Sequence, residues 1–225
     1  MIRIGFLLCA LGVLAACQTT AQVNDRLVQS FDDLVFFVAP DSHGHDVDQT
    51  YERLVRWDDE IHYIILGVDD EALSSQSEAA LLKIAKIANV QVRKVKTVGD
   101  ANFKIYIDNE KEFVINDNQL ASCYTHAEAS ERGGIRKADI HLPFKMGRVA
   151  EKCVEHELLH GFGFRGHAHR IRSAMSYVAG QDEMSRWDRI LLKALYHPTM
   201  PTAADRDDAL AVARGLIPQL METTD

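Results

Sequence analysis

Apolar positions fall in short blocks along the chain, and their spacing predicts strands and helices in alternation. The first block runs unbroken from position 4 to 16, behind Arg3, and is too short to cross a bilayer comfortably. Residues 18–30 read as a polar tether. Phe31, Leu34, Val35, Phe36, Phe37 and Val38 form the first apolar element, closed by the polar loop 41–46. A short helix is expected over 47–55 and a strand, rich in β-branched residues, over 61–68. Ser75 with Glu78 is a capping-box signature before Ala79, Leu81, Leu82, Ile84, Ile87 and Ala88, so a helix follows. Val90, Val92 and Val95 predict a strand over 90–98. Phe103, Ile105 and Ile107 alternate again after the Gly99-Asp100 turn. A short strand is expected at 112–115, a loop over 117–131, and a strand over 140–144 that Pro143 stops. Helices are expected over 147–161, 185–196 and from 203 to about 216. The order β-α-β-β-β-α with a helical tail predicts an α+β fold, a mixed sheet with helices packed on it.

With 225 residues and 47% hydrophobic content, the chain can bury one full-sized core, and no second domain is required. A net charge of −8 excludes nucleic acid as the main partner, because phosphate binding needs a basic face.

Arg3, the apolar run and its ending Leu14-Ala15-Ala16-Cys17 resemble a bacterial lipoprotein signal. That resemblance implies that residues 1–16 are removed and that Cys17 is acylated as the mature N-terminus. Residues 17–30 would then be a lipidated tether and 31–225 a single domain. Gln18 after the Cys implies the outer membrane, with the protein facing the periplasm, so the lipid bilayer is one partner. Several acyl chains anchor far more firmly than one. Beyond Cys17 the chain keeps Cys123 and Cys153, which an oxidising compartment lets pair as a disulfide. Two separate buried thiols is the other reading.

The chemistry sits on the helix over 147–161, which carries His156-Glu157-Leu158-Leu159-His160. At about 100° per residue, a separation of four leaves the two histidines roughly 40° apart and about 6 Å along the axis, so both can reach one ion. Glu157 stands beside them, placed to take a proton from water. Neutral imidazoles suit zinc, which lowers the pKa of a water it binds to about 7. The helix ends in Gly161-Phe162-Gly163, where the chain must turn sharply. No Ser-His-Asp elbow and no Gly-rich phosphate loop is present.

At these residues the chain resembles the metzincin zinc peptidases, whose pattern is His-Glu-x-x-His-x-x-Gly-x-x-His followed by a Met-turn. Gly163 falls on the family glycine. The third histidine should stand at 166, which is Gly166, and His167 follows one residue late, with His169 as the second candidate and a carboxylate elsewhere in the chain as the remaining one. Ser173-Ala174-Met175-Ser176-Tyr177 looks like a Met-turn, and the stretch from Met184 to Tyr196 resembles the helix that closes such domains. The resemblance implies a zincin-like sheet with an active-site helix and a small helical C-terminal subdomain. It also implies one Zn2+ per chain on His156, His160 and His167, with Glu157 as general base. Met175 would be the floor under the ligands. Tyr177 would approach the metal or bond the oxyanion of a tetrahedral intermediate, and a buried Tyr tied to backbone is its other reading. The function implied is a zinc-dependent peptide-bond hydrolase acting on a peptide or protein of the envelope. The alternative is a catalytically silent, zinc-stabilised scaffold lipoprotein. Arg165, Arg170 and Arg172 crowd the site as carboxylate clamps or surface ion pairs, and His43 and His45 lie in an acidic loop.

Overall fold

In chain order the elements are α1 (Thr20–Val35), β1 (Phe37–Val38), β2 (Gln49–Thr50), β3 (Ile61–Gly67), α2 (Glu71–Ala88), β4 (Val92–Lys94) and β5 (Phe103–Asp108). There follow β6 (Phe113–Ile115), β7 (Gln119–Ala121), β8 (Tyr124–Ala129), β9 (Ile135–Pro143), α3 (Arg148–Gly161), α4 (Arg186–Leu195) and α5 (Arg206–Thr223). This computed structural model describes residues 19–38, 49–50, 52–115, 119–176 and 180–224. The central sheet is mixed and five-stranded, in the order β4-β3-β5-β9-β8. Its first four strands are parallel, and β8 runs antiparallel along the edge of β9.

Alternation decides which face of the sheet is covered. Phe103, Ile105 and Ile107 of β5 and Ala138, Ile140 and Leu142 of β9 are buried, and α3 lies across β8 and β9 on that side. Gly161 sits so close to the sheet that a Cβ there would stand 3.0 Å from Ile140 and Phe103. On the opposite face His141 of β9 is stacked between Tyr106 of β5 (4.7 Å) and Tyr124 of β8 (4.3 Å). Asp108 holds the His141 ring at 2.8 Å.

Several elements depart from the sequence expectation. Residues 20–30, expected as tether, belong to α1, whose Leu27, Val28, Phe31, Leu34 and Val35 are buried at helical spacing. That helix packs on α5. Over 47–55 no helix forms in the described residues. Gln49–Thr50 are a short strand, and extended chain from Leu54 stitches the domain instead, Leu54 N–H donating to Ala204 O and Arg56 N–H to Gly133 O. Ser75 and Glu78 are inside α2 rather than capping it. Asp70 is the N-cap and accepts from Leu73 N–H at 2.7 Å. Glu78 instead accepts from the Tyr63 hydroxyl (2.5 Å) and the Lys94 ammonium (2.8 Å), fastening α2 to β3 and β4. The loop expected over 117–131 contains β7 and β8. All of β8 is partly or fully exposed, so its sequence shows no apolar alternation. Among the described residues no helix is long and apolar enough to cross a membrane.

Candidate metal centre

His156, Glu157 and His160 lie in the last two turns of α3, after which the chain reverses. Gly163 takes φ 106°, and a Cβ there would stand 2.4 Å from the Val55 carbonyl oxygen. Only glycine combines that φ with that approach. The segment that follows is pinned from both sides. Arg165 and Gly166 N–H both donate to Leu34 O of α1 (2.6 and 2.9 Å), and Ala168 N–H donates to Met175 O (2.9 Å). This loop absorbs the one-residue offset and returns His167 to the helix.

The three imidazoles form a nearly equilateral triangle. Ring centroids are 4.9 Å apart for His156 and His160, 5.1 Å for His156 and His167, and 5.0 Å for His160 and His167. His156 Nδ1–H donates to Ala174 O (2.8 Å) and His160 Nδ1–H to Phe164 O (2.5 Å). A carbonyl only accepts, so each of these rings carries its proton on Nδ1 and keeps a lone pair on Nε2. Burial, followed by the nearby His156, pushes His160 down to about 3, and burial likewise lowers His167, so both rings are neutral. His156 Nε2 and His167 Nε2 are 3.2 Å apart. A tetrahedral zinc with bonds of about 2.0–2.1 Å spaces its nitrogens about 3.3 Å apart. The donor set therefore fits zinc in both protonation and spacing. Among the described residues this is the cluster able to hold a metal. His169 is exposed and lies outside it.

Glu157 is 4% exposed, and burial raises its carboxyl above the usual range against the lowering effects of His156 and Thr125. Thr125 of β8 places its Oγ1 2.8 Å from both Glu157 Oε2 and the Glu157 carbonyl oxygen. The hydroxyl thus fixes the carboxylate rotamer from the neighbouring strand. Cys123, two residues before Thr125, is joined to Cys153 of α3 by a disulfide, with Cα atoms 6.3 Å apart. Strand and helix are clamped at the point where Thr125 meets Glu157.

The turn at 173–176 lies against His156 through the Ala174 carbonyl, with Met175 fully buried. Asp188, in the first turn of α4, accepts from the Ser173 hydroxyl, from Ala174 N–H (3.0 Å) and from Ser185 N–H (2.8 Å). Ser173 Oγ in turn accepts from Met175 N–H (2.9 Å). Burial raises the Asp188 carboxyl, and the same donors oppose that rise. Ala174 thus donates its N–H to Asp188 and orients His156 with its carbonyl.

Of the residues singled out in the sequence, the structure brings together His156, Glu157, His160, His167, Met175, Cys123 and Cys153. Cys17, His43, His45 and Tyr177 lie outside the described residues. Arg170 pairs with Asp33 of α1 at 3.2 Å. Thr125 and the two carbonyl acceptors were not foreseen, and the sequence leaves the partners of Asp188 unassigned. Asp188 had one available signal, the Ser185-x-x-Asp188 capping box that starts α4.

Fold and site together define a mixed-sheet domain with three convergent histidines and a buried carboxylate at the end of its central helix. The chain belongs to the family described as protein of unknown function (DUF2927), whose profile matches residues 24–214. The match runs from the second turn of α1 to the middle of α5. No curated protein matches the chain.

Proposed function

We propose that this chain is a zinc-dependent peptide-bond hydrolase of the bacterial cell envelope, held to the membrane through acylated Cys17 and similar in fold to the metzincins. The carrying observation is the convergence of His156, His160 and His167 beside a buried Glu157. A zinc ion on these three nitrogens supplies Lewis acidity and an acidified water. Ala174 O and Phe164 O hold two of the rings in the tautomer that leaves Nε2 free. Glu157 accepts the proton of the attacking water at its carboxylate and returns it to the departing amide nitrogen. Thr125 keeps that carboxylate aimed at the same place through both transfers.

A closed structural zinc site has four protein ligands and no need of a general base. Among the described residues this cluster has three histidines, with a carboxylate next to them, which favours the hydrolase over the scaffold. The test is metal analysis together with exposure of the protein to a peptide mixture. One zinc per chain and cleavage that a chelator abolishes are expected. Absence of bound zinc from the dialysed protein would overturn the reading.

A further inference from the structure

A groove of about 390 Å³ opens between the first turns of α1 and the segment that leads from the third histidine into the turn at 173–176. We infer that this groove docks on anionic phospholipid headgroups of the membrane that carries the chain, and so presents the metal centre to substrate at the bilayer surface. The proposal rests on the reading of Cys17 as the lipid anchor.

Three guanidinium groups line the groove, those of Arg26, Arg170 and Arg172. Asp33 takes one bond from Arg170, through Nε at 3.2 Å. Arg172 is exposed and forms no ion pair among the described residues. The floor between these charges is apolar, made by Leu27 of α1 and by Trp187 of α4. Arginines around a partly exposed tryptophan match a membrane–water interface, where cations meet phosphate and the indole lies at headgroup depth. The chain as a whole carries −8, but a bilayer senses only charges within a Debye length, about 8 Å at physiological salt. Local sign therefore outweighs net sign.

Position selects a lipid rather than a soluble anion. Helix α1 starts at Thr20, so the chain from Cys17 to the helix spans at most about 10 Å. Arg26 lies within two turns of that start. The same short reach means that the domain cannot swing freely. On the other side of the groove, His169 is two residues past the ligand His167 and Arg172 directly precedes the turn under the metal. A surface that seats Arg170 and Arg172 thereby sets the height of the site above the bilayer. The substrates that fit are membrane-proximal stretches of envelope proteins.

The full chain can be reconstituted on vesicles of phosphatidylcholine alone or with phosphatidylglycerol, each doped with brominated lipid. The chain has two tryptophans, and Trp57 is 3% exposed in the core, so quenching reports Trp187. Quenching is expected with phosphatidylglycerol and not without it. Arg172→Ala, at an exposed position, should weaken binding of the Cys17→Ser chain to the anionic vesicles about fivefold, the effect of about 1 kcal/mol per arginine. Equal quenching on both vesicles, or no effect of Arg172→Ala, overturns the groove while leaving the anchor intact. Flotation separates the two readings: a Cys17→Ser chain that stays on neutral vesicles as firmly as wild type overturns the anchor. Loss of quenching on adding inorganic phosphate, at constant ionic strength, would mark a small-anion site and contradict lipid docking.

Discussion

Each of the two helical histidines has its Nδ1 proton committed to a carbonyl, from Ala174 and from Phe164. The i, i+4 spacing of His156 and His160 was legible in the sequence, whereas their acceptors were not: a carbonyl has no sequence signature. His167 was legible only as the first of three candidates, because the extra residue before it had no visible place to go. The place is the pair of N–H groups, Arg165 and Gly166, that share Leu34 O. Replacing His167 by Ala should therefore remove most of the zinc, since two ligands hold it far more weakly than three, while His169→Ala should retain it. Metal content of the two variants checks this, and the reverse pattern would make His169 the ligand. Thr125 was invisible for a different reason, since a threonine on an exposed strand resembles any other. Thr125→Val keeps the shape but removes the hydroxyl from Glu157. A loss of about tenfold in kcat with zinc retained is expected, recovered by Thr125→Ser. Failure of serine to restore the rate would show that packing, not the hydroxyl, matters.

Among the elements, the buried ones were the most legible. β5 and α3 show clean period-two and helical patterns, and the structure has them within a residue or two of expectation. α1 was missed over its first half because Thr20 to Arg26 offers only Ala21 and Val23 as apolar residues, and full burial begins at Leu27. β8 was missed because an edge strand gains its stability from main-chain bonds to β9 and from the Tyr124–His141 stack, neither of which needs apolar alternation. The disulfide adds a covalent tie between that edge and α3. Closing a loop with a sequence separation of 30 should contribute about 3–4 kcal/mol, largely by restricting the unfolded chain. The Cys123→Ser, Cys153→Ser double variant should show that loss as a lower urea midpoint. Thiol titration of exported, denatured and unreduced wild type should find neither sulfur free, and two reactive thiols there would refute the bridge.

At the scale of the whole molecule, α3 is held by the sheet beneath it, by α2 and by the Asp188 turn, all built from one core. The domain's first helix is part of that core, so the histidine cluster and α1 share one packed unit. The general class of fold was legible from the order of elements. The mixed sheet's strand order was not, because pairing between distant strands is decided in three dimensions. The proposed function rests on Glu157, and its conservative replacement is the most direct test. Glu157→Gln keeps the size and the Thr125 bond but cannot accept a proton. With turnover of a cleaved peptide as the readout and zinc content as the control, the variant should bind metal as wild type does and lose about 10²–10⁴ in kcat. A zinc-loaded Glu157→Gln protein that cleaves as fast as wild type would contradict the assignment.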